Sequence, residues 1–571
     1  MTKIALTQGA YTARSLIADA QRCLNLFPEV DPTDSVFPVT HYPTPGLTQL
    51  IGAPIPGPTR LEWMTTNGTY FRVVGSNVYV VNTSTWVHTQ IGTIAAGTTP
   101  CSMDDNGLVA ILVDGTASGY AIDLTNNNTF GTIVNPSFYG ADAVRFMDTF
   151  FIFNHPGTDE WYLSLSEMEY ADFTTATVIS GSITDAGTGY TNGTYTNVPF
   201  SGGSGSGAVA ASVTVSSGIV TAITLPVPFP GIDYANTDVL SISSTNLGGA
   251  GSGLAYTLST AGAFNSLDIA ATTSMAGNNI TLTVAHKNVW IFKTNNAEVW
   301  YDAGNSDFAF SQVPSIQIEH GCAAKYSVCS YDGSVFWIGR DRAGTAIVFQ
   351  GTPTYQAERI STHCVEDVLN DFDDVSDAVG YIYQQGGHVF YVLNFPTADA
   401  TWVYDLANKL WHERAWIDNN GLEHRHLMQF SVNTGAEIVG GDWSAGALYL
   451  LDQDNFTDND QPIKRVRGFP HIVDDNARIS YSQFILALDV GMTPNIPVAD
   501  EPEIFLRWSD TAGNSWGQPV GRGMGATGQY HRSIQWRRLG LGRDRVFEVS
   551  WSAPMDVALN GAFADFTRLA T

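Results

Sequence analysis

The chain has 571 residues and a formal net charge of −28 at pH 7. This length exceeds one compact core, so several domains are expected, and the acidic balance argues against a protein that wraps nucleic acid by neutralising phosphates. Glycine (55 residues), proline (25) and aromatic residues (12%) are abundant, whereas only 14% of residues are charged. Such a composition is typical of short strands and turns and predicts an all-β protein.

The cysteines are few and scattered, and no spacing among them indicates a disulfide framework. An odd set of this kind predicts reduced thiols and assembly in a cytoplasm. The positions are Cys23, Cys101, Cys322, Cys329 and Cys364. The N-terminus has no uninterrupted apolar run of the kind found in signal peptides, and no segment approaches about 18 apolar residues, so neither export nor membrane spanning is predicted.

Residues 1–60 lack a periodic pattern and are rich in turns. Prolines in the stretches NLFPE (25–29) and YPTPGL (42–47) restrict the backbone to extended or turn conformations. We therefore predict an extended N-terminal arm that lies on another part of the molecule. The alternative is a segment that only closes its own domain.

Residues 61–164 contain a repeat. Strand-like runs centre on Tyr79, Tyr120 and Tyr162, which are 41 and 42 residues apart. A period of this length with several short strands in each unit is typical of β-propeller blades, which cannot bury their faces alone. This part is predicted to form the first blades of a propeller.

Residues 165–263 differ abruptly in composition. Between Thr174 and Gly262 there is no Lys, Arg, Cys or Trp, while runs such as ASVTVSS still alternate as strands do. GGSGSG at 202–207 returns as GGAGSG at 248–253. We predict an inserted Gly/Ser/Thr-rich β module of two similar units, each about 45 residues long; a flexible linker is the alternative.

The propeller pattern resumes in residues 264–452. Tyr301 lies 139 residues after Tyr162, and removing an insert of about 98 residues restores the repeat. Further centres at Val348, Tyr404 and Tyr449 bring the number of strand centres to seven, which predicts six or seven blades. A polar, acidic link then leads into a separate C-terminal β domain, residues 453–571.

Within that last domain, residues 503–551 carry the most information. Apolar and polar residues alternate in EIFLRW, YHRSIQW and RVFEVSW, with glycine-rich turns between them, which predicts a β-meander. One turn resembles an Asp-box, in which an Asp side chain caps the turn and a Trp packs beneath it. Its residues are Ser509, Asp510, Gly513 and Trp516.

Arginines concentrate in the same region. Residues 503–571 contain eight Arg and six carboxylates, a balance of +2 that leaves −30 for residues 1–502. Interleaving with Tyr530 and Trp536 is typical of a nucleic-acid stripe. Strand alternation divides the side chains between two faces, however, and we favour pairing with acidic surfaces of a neighbouring subunit or domain. The candidate interface residues are Arg532, Arg537, Arg538, Arg543 and Arg545.

The ordered string GQY (528–530), Arg532, WRRLG (536–540) and RDRVFE (543–548) resembles the C-terminal signature of a known family. This family comprises the packaged-DNA stabilisation proteins of short-tailed phages (podoviruses), also described as tail hub or tail nozzle proteins. NLFPE, TPGL, GGHVFYV and TWVYD resemble the same family. The resemblance covers most of the chain except the insert.

The resemblance implies a structural protein of the virion tail that is assembled in the host cytoplasm. Such proteins form a homo-oligomeric ring, expected to be a hexamer, below the portal and adaptor ring. The ring extends the DNA channel, retains the packaged genome and docks a tail fibre or tip protein, while DNA passes without sequence-specific binding. No cofactor, small-molecule substrate or enzymatic activity is implied.

The propeller and the Asp-box-like turn also leave a second interpretation open, a carbohydrate-binding or glycosidase-like propeller of sialidase type. That chemistry needs clustered arginines and a Tyr or carboxylate nucleophile. Arginine is scarce between residues 61 and 450, although side chains from distant blades can converge.

Other motifs are weak. Gly523–Gly528 fits GxGxxG, but no helix is predicted after it to receive a phosphate. The acidic runs 371–377 and 452–456 lack the glycine and the fifth-position oxygen ligand of a calcium loop. His424 and His426 have no third ligand at suitable local spacing, and His320, Cys322 and Cys329 are similarly weak. No catalytic, cofactor or metal site is predicted.

Overall fold

The computed structural model is built almost entirely from strands, and the expected all-β class is confirmed. Its helices are α1 (Tyr170–Thr174), α2 (His363–Asp371) and the 3-10 turns Ser244–Leu247 and Lys325–Ser327. No helix in the described part of the chain is long and apolar enough to cross a membrane. The structure describes residues 2–569 except 5, 7, 8, 17, 18, 32, 34, 35, 51–54, 136, 175, 176, 227, 228, 232, 233, 235, 236, 275, 315, 342, 436, 476 and 496–500.

The N-terminal region consists of short strands that pair with distant parts of the chain. They are β1 (Thr2–Ile4), β2 (Tyr11–Thr12), β3 (Ala20–Gln21), β4 (Cys23–Leu24), β5 (Leu26–Val30), β6 (Val39–Pro43) and β7 (Gly46–Gln49). Among the described residues of this region, β2 pairs with β3 and β5 with β6, and the other strands pair outside it.

Four-stranded antiparallel sheets, the blades of a propeller, follow. Blade one consists of β8 (Thr59–Met64), β9 (Tyr70–Val74), β10 (Asn77–Val81) and β11 (His88–Thr93). Blade two consists of β12 (Ser102–Asp105), β13 (Val109–Val113), β14 (Gly119–Asp123) and β15 (Thr129–Thr132). The first three strands of blade three are β16 (Val144–Met147), β17 (Phe150–Asn154) and β18 (Glu160–Leu163). The first strand of each blade is innermost, and the inner strands β8, β12 and β16 lie side by side.

The insert interrupts blade three before its outermost strand. Its strands are β19 (Thr177–Thr188), β20 (Gly193–Pro199), β21 (Ser201–Gly202), β22 (Val209–Ser216), β23 (Ile219–Thr224), β24 (Val239–Ser241) and β25 (Ser252–Ala261). One sheet has the order β19-β25-β24-β21 and the other β20-β22-β23. The sequence repeat predicted two separate units, one for each half of the insert. The structure differs, because strands from both halves pair with each other around one common core.

The remaining strands complete the propeller. They are β26 (Ile269–Ala271), β27 (Asn279–Ala285), β28 (Asn288–Lys293), β29 (Ala297–Asp302), β30 (Phe310–Gln312), β31 (Cys329–Tyr331), β32 (Ser334–Arg340), β33 (Ala346–Gly351), β34 (Ala357–Arg359), β35 (Val379–Gln385), β36 (His388–Phe395), β37 (Ala400–Asp405), β38 (Leu410–Arg414), β39 (Trp416–Ile417), β40 (Glu423–His424), β41 (Val432–Asn433), β42 (Ile438–Gly441), β43 (Leu448–Asp452), β44 (Thr457–Asp458) and β45 (Gln461–Pro462). Strand β26 closes blade three, β27–β30, β31–β34 and β35–β38 form blades four to six, and β41–β43 begin blade seven.

The described residues thus form seven blades, the larger of the two numbers predicted. All seven predicted strand centres lie in the third strand of a blade. In several blades this strand ends in, or is directly followed by, an Asx residue whose side-chain oxygen accepts a hydrogen bond, 2.9 Å long, from the backbone N two residues on. These residues are Asn82, Asp123, Asp302, Asp405 and Asp452.

Blade seven is closed by a strand from the N-terminal region. Strand β7 pairs antiparallel with β43, with Leu47 opposite Leu451, and becomes the outermost strand of the blade. The inner strands β41 and β8 then meet and close the ring. A fully buried ion pair secures this junction: Arg72 of blade one donates to Glu62 at 2.7 Å and to the Ala447 carbonyl of blade seven at 2.6 Å.

The C-terminal region is a sandwich of two sheets. Its strands are β46 (Arg465–Gly468), β47 (Ile472–Val473), β48 (Ile479–Leu488), β49 (Glu503–Ser509), β50 (Val520–Gly523), β51 (Ile534–Gly542), β52 (Asp544–Trp551) and β53 (Leu559–Arg568). One sheet has the order β46-β52-β49-β50 and the other β5-β6-β53-β48-β51. The predicted meander is wrong in this respect, because β51 lies in the opposite sheet and β52 returns to pair with β49.

One sheet runs without interruption from the propeller into the sandwich. Strand β4 pairs in parallel with β38 of blade six and antiparallel with β46. Asn25, which follows β4, is buried in a left-handed conformation with φ 53°. Its side chain donates to the carbonyls of Ala415 and Lys464 at 2.9 Å and accepts from the Ala415 backbone N at 3.0 Å. The exit from blade six and the entry to the sandwich are thereby held together.

Closure by β7 generates a prediction about stability. Leu47 is fully buried between blades six and seven, whereas Thr48, the next residue of the strand, is exposed. Leu47→Ala leaves a cavity and is expected to lower the free energy of unfolding by about 3 kcal/mol. The matched control Thr48→Ala is expected to change it by less than about 1 kcal/mol. Urea denaturation of the purified variants measures both, and equal effects would contradict the role assigned to β7.

Candidate assembly surface

The side of the sandwich formed by the edge strands β50 and β51 carries a row of exposed arginines. Strands β50 and β51 are the edge strands of the two sheets and lie beside each other. Exposed arginines on or next to them form a surface that we call the basic edge. Its residues are Arg522, Arg532, Arg537, Arg538 and Arg543.

The pattern of β51 explains why two adjacent arginines point outward. Ile534, Trp536 and Leu539 face the core. A β-bulge shifts the register, so that Tyr481 pairs with Gly540 but Gln483 with Arg537. Arg538 occupies the extra position with φ 60°, and both it and its neighbour are exposed.

Three of these arginines surround a shallow cavity of about 400 Å³. Arg522 Nε donates to the Gln535 carbonyl at 3.1 Å, and Arg537 Nη2 donates to the Gln535 side-chain oxygen at 3.2 Å. Arg532 pairs with Glu501 at 2.5 Å. The exposed guanidinium groups can bind further carboxylates, because each offers several donors in a fixed plane.

Arg545 does not belong to this surface, although the sequence analysis predicted it to be an interface residue. Its side chain is 1% exposed and binds Asp510 through two hydrogen bonds, 2.6 and 2.8 Å long. It also donates to the Leu539 carbonyl at 2.7 Å and lies 4.3 Å from the Tyr481 ring centre. Arg545 is therefore a structural residue that ties the 510 turn to strand β51 and the core.

The Asp-box-like turn is also built differently from the prediction. Ser509 caps it, since Ser509 Oγ accepts hydrogen bonds from the backbone N of Thr511 at 3.2 Å and of Gly513 at 2.9 Å. Gly513 adopts φ 91°, which favours glycine. The Asp510 carboxylate turns to Arg545 instead of the turn backbone, and Trp516 is half-buried beneath the Arg507 guanidinium at 4.6 Å.

A second charged cluster, which sequence reasoning missed, joins the three parts of the chain. Arg22 of the N-terminal region pairs with Glu413 of blade six at 3.0 Å and with Glu423 at 2.7 Å; Lys464, before β46, pairs with Glu423 at 2.8 Å. Burial raises the pKa of Glu423, but the hydrogen bonds and charges of Arg22 and Lys464 outweigh it and hold the pKa at about 2. No local motif reveals this cluster, because its members are distant in sequence.

The propeller's own channel is narrow and nearly neutral. Inner strands line a cavity of about 440 Å³, the size of a small-ligand cleft. Its charged lining residues are Glu62, Asp142, Arg145 and Lys325, of which Lys325 and Asp142 pair at 3.2 Å. Arg145 is the single arginine among the described residues that line this cavity, and Arg425 lines an adjoining cavity of about 570 Å³ that shares Pro100 and Tyr326 with it.

The weaker motifs form ordinary turns and pairs. Asp374 and Asp452 accept hydrogen bonds in Asx turns, and His424 pairs with Asp399 at 2.6 Å. Burial lowers the pKa of His426 to about 3. Within the described residues, no group of three or more His, Cys, Asp or Glu side chains could hold a metal ion. The segment 523–528 leads from β50 into a turn.

Two family models match the chain in succession. The model described as bacteriophage P22 Gp10, beta-propeller, matches residues 2–182 and 249–456. The model described as bacteriophage P22 Gp10, beta-sandwich, matches residues 464–567. The chain belongs to the bacteriophage P22 Gp10 family. Membership confirms the resemblance found in the sequence and identifies a structural phage tail protein, a component of the virion.

The P22 Gp10 family model omits residues 183–248, which lie inside the insert. No curated protein matches the chain. Similar solved structures include the propeller domain of Cps50 (Swd1) from Myceliophteria thermophila, with 7% identity over 71% of this chain and 98% of that chain at a TM-score of 0.34. The WD40 propeller domain of Doa1 matches with 7% identity over 72% and 97% of the respective chains, also at 0.34. At these values neither structure informs the function.

Burial distinguishes the two kinds of arginine in a stability measurement. Arg545→Ala removes the charge-assisted bonds to Asp510 and is expected to lower the free energy of unfolding by about 3 kcal/mol. The matched control Arg543→Ala, two residues away and exposed, is expected to change it by no more than about 0.5 kcal/mol. Equal stability of the two variants in thermal and urea unfolding would refute the structural role of Arg545.

Proposed function

We propose that this protein is the ring-forming hub, or nozzle, subunit of a short-tailed phage tail. A homo-oligomer, expected to be a hexamer, lies below the portal and adaptor ring, extends the DNA channel and retains the packaged genome. The observation that carries the proposal is the succession of both P22 Gp10 family matches along the chain.

The fold is suited to such a position. The closed ring of seven blades leaves mostly short outer edge strands, and the continuous sheet through β4 connects the propeller to the sandwich. The basic edge is available for a neighbouring subunit, while residues 1–502 carry a net charge of −30. Opposite charges on different parts of one chain favour ordered self-association.

We assign the DNA passage to the lumen of the ring. The propeller's own cavity of about 440 Å³ is too small a space for a duplex. Carboxylates of the propeller facing the lumen would repel phosphates and let DNA slide without sequence-specific contacts. In this proposal the ring retains the DNA by closing the channel together with the proteins docked on it, and not by binding the phosphates tightly.

Genome retention gives the experiment for this function. Particles assembled without the chain, from a phage with a null mutation in its gene, are expected to lose packaged DNA to nuclease. Supplying the chain from a plasmid is expected to restore protection, measured as nuclease-resistant DNA per capsid. Full protection of particles that lack the chain would contradict the proposed function.

We also propose that the insert, residues 165–263, is a docking module for a tail fibre or neighbouring subunit. The hydrophobic core of the module lies within residues 183–258 and includes no propeller residue. Thr177 and Ala261 are paired across the ladder of β19 and β25, so their Cα atoms are only about 5 Å apart. The residues between Thr177 and Ala261 can therefore be replaced by a short turn that spans this distance.

Replacing residues 178–260 by a two-residue Asn-Gly turn is expected to leave the propeller folded and DNA retained. Fibre occupancy, counted in electron micrographs of particles, is expected to fall to background. Val239→Ser, a substitution at an exposed position of strand β24, serves as the control for altered surface without loss of the module. Full fibre occupancy after the deletion would exclude fibre docking on the insert.

A further inference from the structure

The side of the sandwich opposite the basic edge carries a groove with an aromatic floor. The β5–β6 hairpin, blade six and the segment before β53 enclose a cavity of about 220 Å³. Phe27 contacts Phe390 and Tyr42 at ring-centre distances of 5.5 and 5.9 Å. Phe456 also lines the cavity. We call it the acidic groove, because the carboxylates of Glu29 and Asp556 lie at its edge.

Carboxylates surround this floor. Glu29 and Asp556 line the cavity, and the Glu29 side chain is 52% exposed. Burial and the negative charges of the nearby Asp489 and Asp454 raise the pKa of Asp556, and the positive charge of Arg465 opposes this shift. No lysine or arginine is among the described residues that line the groove. Its histidine, His388, is paired with Asp405 at 2.8 Å, and its other ring nitrogen lies 3.6 Å from the Glu29 carboxylate, whose outer face stays open to solvent.

The two surfaces lie at opposite edges of the same sheet. In the order β5-β6-β53-β48-β51, β5 carries Glu29 and β51 carries Arg537 and Arg538. Four strand spacings, roughly 19 Å, separate the two edge strands. A single copy therefore cannot bring its basic edge into its own groove, whereas two copies placed edge to edge can.

We propose that the basic edge of one copy docks into the acidic groove of the next copy. This inference rests on the proposed ring and names the contact that builds it. A guanidinium group fits such a groove because it stacks on aromatic rings and pairs with carboxylates in one plane. Because the two surfaces differ, the contact is head-to-tail, and such contacts form a closed ring when the rotation between copies closes.

The inference is tested by reversing charge on each side. One variant carries Arg537→Glu and Arg538→Glu, a second carries Glu29→Arg and Asp556→Arg, and a third combines all four substitutions. Each is supplied to the null phage, and copies per particle are measured by quantitative mass spectrometry. Lys287→Glu and Asp307→Arg, exposed residues of blade four and therefore outside the sandwich, are the matched controls.

Each two-residue reversal is expected to lower incorporation at least tenfold, because like charges then face each other. The four-residue variant is expected to recover most of it, since attraction is restored with inverted sign. Circular dichroism and thermal unfolding of the purified variants establish that they fold. A variant that fails to fold is replaced by its neutral form, Arg→Gln or carboxylate→amide, for which an intermediate loss is expected.

Normal incorporation of both folded reversals would overturn this contact while leaving the proposed ring and its DNA retention intact. Loss in both single-side variants without recovery in the combined one would also overturn it, because the two surfaces would then serve different partners. Absence of the wild-type chain from particles would instead refute the proposed function itself.

Discussion

One buried asparagine and the strands around it hold the molecule together. Asn25 bonds to the last residues of blade six and to the first residues of the sandwich, using both ends of its side-chain amide. Strand β4, which precedes Asn25, pairs with both β38 and β46 and so joins the sheet of blade six to a sheet of the sandwich. Strand β7, which follows Asn25, pairs with β43 and completes blade seven. A buried amide with all these bonds is costly to separate, since each freed group would lack a partner.

This arrangement makes the propeller and the sandwich one mechanical unit. The Arg22 cluster adds charged bonds at the same junction, and a shared hydrophobic core extends from blades five and six into the sandwich. The insert is the separate part of the molecule, because its hydrophobic core includes no described residue of the propeller or the sandwich.

Features that depend on nearby residues could be predicted from the sequence. The repeat is visible in the sequence because each third strand carries aromatic and branched residues, and many such strands end in an Asx turn, as at Asp123 and Asp405. Features that depend on distant residues could not. Nothing near Leu47 indicates that it completes blade seven, and alternation in β51 does not tell which sheet the strand joins. Likewise, Arg545 and Arg543 have similar sequence surroundings, and only the fold buries one of them.

We propose that copies of this chain form a closed ring around the DNA passage. A cryo-EM reconstruction of the intact tail tests this proposal most directly. We expect a closed ring of identical copies below the portal, six in number, with propeller carboxylates facing the lumen. A single copy per tail, an open arrangement, or a lumen lined with net positive charge would contradict it.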